Sequence, residues 1–368
     1  MKYNVISSDD HVEEPKDTWQ ARVPAHLRDR APRVVRVADG DAWEINGVRG
    51  KTIGLEAQAG KKFEEYKPSG ESYDTIRKGS YDPYERIKDM DIDGVDAQTI
   101  FPNVGLGIFG IEEHELQFAC IRAYNDFLSE FCSVNPSRLI GIGLIPTDDV
   151  EVGKKEVERV AKLPGLRGVM LPTYPRGEAL NSSIYDPIWA AAQDLNLPVH
   201  VHLRTGDRRT AALFGANNLR GAVPALLNVA SLANYEALSQ IIFGGVLELF
   251  PRLKFVSVEG NIGWLGYFLE KSDRTYKRHR HWTRLNLPKL PSEYFHRQVY
   301  ATFIEDKIGV KIRHDIGLDN LMWSSDYPHT DTTWPNSRQY IEDTFAGVPE
   351  DEKYKIVAGN AKKVYNLD

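Results

Sequence analysis

Short apolar runs rich in β-branched residues recur along the whole chain, and eight of them stand out: Asn4–His11, Val95–Phe101, Leu139–Pro146, Leu166–Pro172, Leu197–Leu203, Leu253–Glu259, Val299–Glu305 and Asn320–Asp326. Most are continuous rather than alternating, as expected of parallel strands covered on both faces. Helical patterns lie between them. Pro83–Asp93 follows Asp82, an N-cap with proline at the first helical position. Glu113–Val134 is long and amphipathic, Val150–Lys162 precedes the fourth strand, and Pro187–Leu195 again follows an aspartate. Pro224–Phe250 ends at Pro251, a stop signal. Strand then helix, repeated, predicts a (β/α)₈ TIM barrel built as one domain over residues 1–368.

The repeat is interrupted between the first and second strands. Residues 38–80 read as an insertion: a hairpin with the two-residue turn Asn46-Gly47, then a mobile Gly/Lys/Glu-rich loop of the kind that often serves as a lid. A second irregular stretch, Arg204–Gly221, follows the fifth strand and is expected to overhang the barrel mouth.

Composition narrows the function class. With 42 % hydrophobic and 27 % charged residues, the 368-residue chain can bury a large core. A net charge of −6 with no long basic stripe argues against a nucleic-acid partner. The densest positive run, Arg274 to His281, is short and reads as a solvated face or cleft rim. Cys120 and Cys132 are the only cysteines, which excludes a disulfide framework and suggests buried free thiols. The absence of an apolar signal region or an apolar run of about 18 residues predicts no membrane association and a cytoplasmic protein.

In a barrel of this kind chemistry is done where strands end, so polar residues closing apolar strands are the ones to read. Strand one closes with Asp9 and His11, two apart and therefore on one face; strand five closes with His202, strand six with Glu259, and strand eight with Asp326. Two imidazoles and two carboxylates (Asp9, His11, His202, Asp326) suit one divalent ion, Zn²⁺ or, being carboxylate-rich, Mn²⁺. Each residue also has an ordinary reading: a core histidine, a turn, a helix N-cap. His200 shares the face of His202 one layer deeper and is the second choice on strand five.

The segments Asp9-Asp-His-Val-Glu-Glu-Pro15, Tyr185-Asp-Pro-Ile-Trp-Ala-Ala-Ala192, Leu197-Pro-Val-His-Val-His202, Phe250-Pro-Arg-Leu-Lys254 and Ser324-Ser-Asp-Tyr-Pro-His329, in that order, resemble the metal-dependent amidohydrolase superfamily. More narrowly they are similar to the branch of aminocarboxymuconate semialdehyde and resorcylate decarboxylases. The resemblance implies Asp9, His11, His202 and Asp326 as metal ligands, Asp9 standing where relatives carry His or Glu, and it implies a homodimer. Strand four offers no lysine of the kind that bridges two metals in binuclear members, so one ion is expected. Strand six departs from the pattern, with Glu259 where decarboxylases generally carry a histidine; it reads as a fifth ligand, a proton carrier or a structural residue.

The expected function is a metal-dependent decarboxylase, a carboxy-lyase acting on a small aromatic or unsaturated carboxylate. The alternative is a metal-dependent hydrolase in which Asp326 takes a proton from activated water; a non-catalytic binding barrel is the third reading. The expected catalytic residues are Asp326, Glu259 and His202. Arg204, Trp264, His329 and Arg176 are candidate substrate-binding groups, and Glu14 is expected to support the first strand's loop.

Overall fold

The structure, a computed structural model, describes residues 2–203, 205–206 and 221–367. All eight expected strands form. They are Ile6–Val12 (β1), Ala97–Pro102 (β2), Leu139–Leu144 (β3), Leu166–Leu171 (β4), Val199–His202 (β5), Phe255–Val258 (β6), Val299–Phe303 (β7) and Leu321–Trp323 (β8). Each pairs in parallel with the next along the chain, giving one eight-stranded sheet with β1 and β8 at its ends. The strands are buried almost throughout because the sheet's two faces meet the barrel interior and the surrounding helices, which is why they read as continuous apolar runs.

Side-chain and loop contacts bring β8 back to β1. The His11 amide donates to the Tyr327 carbonyl (2.6 Å), the Asp326 amide to the Asp9 carbonyl (2.9 Å), and the Ser325 amide to Ser7 Oγ (2.7 Å). Next to this seam β1 carries a bulge, its register against β2 slipping between Ser7 and Asp10. Bulges re-aim side chains near active sites.

The helix over Pro83–Asp93 is as expected, with Asp82 accepting from the Tyr84 and Glu85 amides. Two helical expectations change. Asp186 is the first helical residue rather than the cap of its helix. Pro224–Phe250 is three helices, Ala222–Val229, Leu232–Phe243 and Val246–Leu249; Gly245 at φ 76° separates the last two. Cys120 and Cys132 are buried free thiols, and no helix among the described residues is long and apolar enough to cross a membrane.

The insertion differs more. The hairpin of Gly40–Ile45 and Val48–Thr52 forms around Asn46 and Gly47, both at positive φ. A third strand, Arg33–Val37, completes an antiparallel sheet that begins before the expected boundary. The segment after the hairpin is held down instead of hanging free: the Gln58 and Ala59 amides donate to the Pro328 carbonyl, and the Thr330 amide donates to the Leu55 carbonyl. The insertion is therefore hydrogen-bonded to the loop following β8.

Candidate metal centre

Strand alternation decides which β1 residues enter the barrel mouth. Asp9 and His11 point inward, while Asp10 turns to the opposite side, towards Gln98, Ser325 and Tyr327. His202 enters from the end of β5. Its Nε2 lies 3.1 Å from His11 Nε2 and 3.4 Å from Asp9 Oδ1. His11 Nε2 is 3.6 Å from both Asp9 Oδ1 and Asp326 Oδ1. Glu259 closes the other flank, its Oε2 3.5 Å from His202 Nδ1.

Neither Glu259 nor Asp326 sits in a relaxed backbone. Both adopt the left-handed region, at φ 58° and 53°, which non-glycine residues seldom occupy. The turn after β6 is thus carried by Glu259 and Asn261 (φ 53°). Gly260 is required for a steric reason: a Cβ there would fall 2.5 Å from Asn234 Nδ2, which donates to the Val258 carbonyl and Ser257 Oγ.

This group of side chains fits a divalent cation. Asp9 and Asp326 are fully buried, yet neither carboxylate makes a hydrogen bond. Buried carboxylates without partners are costly, and a cation answers that cost. The donor separations of 3.1–3.6 Å match the edges of a coordination shell with bonds of about 2.1 Å. Candidate ligand atoms of Asp9, His11, His202 and Glu259 all lie within 4.8 Å of one another, as do those of His11, Asp326 and His329. The Pro102 carbonyl, 2.9 Å from His11 Nδ1, can only accept; the proton therefore sits on Nδ1 and the Nε2 lone pair faces the centre.

Electrostatics reports the same crowding. Burial, then the neighbouring His329 and His202, hold the His11 pKa well below the usual imidazole range. Burial and the Asp9 charge push Asp326 well above the carboxylate range. Glu259 is pushed up to about 8 by burial and by Asp326. For His202 burial opposes the charged ring, but Asp9 and Glu259 outweigh it and raise its pKa.

Residues 76–367 match the amidohydrolase family model. The chain belongs to the amidohydrolase family. Among curated relatives, a gamma-resorcylate decarboxylase of Polaromonas sp. (strain JS666) is 23 % identical over 298 residues, covering 77 % of this chain and 87 % of its own. Among solved structures, an amidohydrolase of Mycobacterium avium subsp. paratuberculosis K-10 superposes with a TM-score of 0.82 at 20 % identity, covering 99 % of this chain and all of the other. A 5-carboxyvanillate decarboxylase of Novosphingobium aromaticivorans, complexed with manganese and 4-hydroxy-3-methoxy-5-nitrobenzoic acid, superposes at 0.72 and 19 % identity, over 99 % and 96 % of the two chains.

The remaining sequence candidates of this amidohydrolase chain separate clearly. His329 reaches the centre: its ring stacks on His11 at 3.9 Å and its Nδ1 lies 3.0 Å from Asp326 Oδ1. His200 does not. One layer below, its Nδ1 meets the Val169 carbonyl and its Nε2 the Tyr365 hydroxyl, so both nitrogens are used structurally. Trp264 turns away, packing on Tyr235 and Phe268 and donating its indole N–H to Gly260; the aromatic cluster takes the ring and the nearby carbonyl satisfies its one donor. Arg176 is taken by Asp148. Glu14 accepts from the Val104 and Gly105 amides and so braces the loop after β2. Arg204 lies outside the described residues, as does most of the irregular stretch after β5.

Sequence reading missed a polar relay behind His329. Asn103 Oδ1 lies 2.7 Å from His329 Nε2, Asn103 Nδ2 donates to Glu13 Oε2, and Trp43 of the inserted sheet donates to Glu13 Oε1. Asn103 follows an otherwise apolar strand, the same signal that exposed the other candidates.

Proposed function

We propose that this amidohydrolase is a metal-dependent, non-oxidative carboxy-lyase acting on a small aromatic carboxylate. The observation that carries the reading is the pair of buried, unbonded carboxylates, Asp9 and Asp326, flanking two facing imidazole nitrogens at the open end of the barrel. Asp9, His11, His202 and Asp326 would hold the ion. The carboxylate-rich donor set favours Mn²⁺ over Zn²⁺, and manganese is the ion in the Novosphingobium decarboxylase complex.

When bound, the ion would supply Lewis-acid polarisation of the substrate's oxygens and fix their position. The chain's own residues do the rest. His11 is held to its Nδ1–H form by Pro102, which keeps Nε2 free as a donor atom. Glu259, buried against His202 and raised by burial and by the neighbouring Asp326, is the carboxyl placed to carry a proton at the cavity. Transfer of that proton to the ring carbon bearing the carboxylate lets the C–C bond break; its electron pair returns to the ring and CO₂ departs. His329 lines the centre from the β8 loop, braced by Asn103.

Metal analysis combined with a screen of hydroxylated aromatic carboxylates tests this reading. The expected result is one ion per chain and metal-dependent CO₂ release with a stoichiometric decarboxylated product. Hydrolysis of an amide, ester or lactone in the same screen, without CO₂, would replace it with the hydrolase reading, which uses the same ligands.

A further inference from the structure

The residue between two candidate ligands, Asp10, is fully buried and faces away from the centre. Its Oδ1 accepts three hydrogen bonds: from Ser325 Oγ at 2.5 Å, from the Tyr327 amide at 3.1 Å, and from Gln98 Nε2 at 3.3 Å. Ser325 and Tyr327 are the two neighbours of Asp326. One carboxylate oxygen on β1 therefore grips the chain on both sides of the ligand supplied after β8. Asp326 itself is held at φ 53°, in the left-handed region that non-glycine residues seldom occupy. Arg86 completes the support: it is fully buried, with one guanidinium nitrogen on Gln98 Oε1 (3.2 Å) and another donating to the His11 carbonyl.

We propose that Asp10 is a positioning residue for the metal centre: it clamps Ser325 and Tyr327 to β1 and thereby sets the Asp326 carboxylate against Asp9 and His11. The proposal rests on the reading that Asp9, His11 and Asp326 hold the ion. It extends that reading by assigning the ligand geometry to a residue that touches neither ion nor substrate. Because β8 and β1 are the ends of the sheet, this clamp does at the seam what ladder hydrogen bonds do between the other strands. Misplacement of an outer-shell partner of this kind typically costs 10–100-fold in metal affinity.

The chemistry predicts which substitution is tolerated. Asp10 Oδ2 has no hydrogen-bond partner, so Asp10's own share of the clamping runs through one oxygen. Asparagine keeps that oxygen and its three donors, whereas leucine keeps the volume and loses the acceptor. Mn²⁺ binding to the full-length, metal-stripped protein is measured by calorimetry for the parent, Asp10→Asn, Asp10→Leu and Asp326→Ala, with the melting temperature of each metal-free protein recorded alongside. The expected result is near-parental affinity for Asp10→Asn and a dissociation constant raised about 10–100-fold for a folded Asp10→Leu. If Asp10→Leu does not fold, Ser325→Ala, which removes one arm of the clamp, takes its place with an expected smaller loss of affinity and a folded melting transition. Unchanged affinity in Asp10→Leu or Ser325→Ala, with Asp326→Ala losing the ion, overturns the clamp and leaves the ligand assignment standing. Undiminished binding in Asp326→Ala overturns the ligand assignment on which the clamp depends.

Discussion

His11 and His202 stand 191 residues apart in the chain and 3.1 Å apart at their Nε2 atoms. With His11 Nδ1 committed to the Pro102 carbonyl, the His11 lone pair points at His202, an approach that a cation coordinated by both rings would explain.

Replacement of His202 or Asp326 by alanine is therefore expected to abolish metal retention and turnover while leaving the fold. The barrel's core comes from the apolar strand residues beneath. Elemental analysis and far-ultraviolet circular dichroism read the two effects separately; full metal occupancy in either variant would show that the residue is not a ligand.

Glu259→Gln should lower turnover by about 10²–10⁴-fold, the usual contribution of a positioned proton donor. Metal content should stay near parental if the residue carries protons, and fall if Glu259 is a ligand instead. Single-turnover CO₂ release with a metal assay distinguishes these outcomes, and an unaltered rate with unaltered metal content would leave the residue a structural role only.

His200→Asn is expected to leave metal stoichiometry intact, because both His200 nitrogens are spent on Val169 and Tyr365. Losing the Tyr365 hydroxyl contact should cost about 1–3 kcal/mol of stability, measured by urea denaturation. A variant that is fully stable yet lacks metal would make His200 the strand-five ligand.

The metal-free protein should lose stability as pH rises. Burial raises Asp10 from 3.8 to about 8 and Glu14 from 4.5 to about 7. A carboxyl with a raised folded pKa contributes stability that is fully present below its unfolded pKa and is lost as pH rises through the folded value. Melting temperatures of chelator-treated protein should accordingly decline from near pH 4 to about pH 8. Asp10→Asn should flatten part of that decline, and an equal slope in both proteins would contradict the assignment to Asp10.

Much of this protein was determined by sequence alone. Each strand is a window of three to seven residues whose apolar, β-branched character depends on no distant partner. The polar residues ending those windows are legible for the same reason, and Asp9, His11, His202, Glu259 and Asp326 are among them. The Asn46-Gly47 turn was equally local. What sequence does not carry is which partner each buried polar side chain meets, because barrel strands are buried on both faces and their periodicity carries no inside-or-outside label. Only the fold shows Asp10 bonded to Ser325 and Tyr327 and His200 spent on Val169 and Tyr365, turns Trp264 away from the centre, and attaches the insertion to the loop after β8. Those decisions rest on contacts between residues far apart in the chain, such as Asp10 with Ser325 and Trp43 with Glu13. Such contacts exist only once the two ends of the sheet have met, since hydrogen bonds at this range depend on where folding brings each atom, not on its neighbours in sequence.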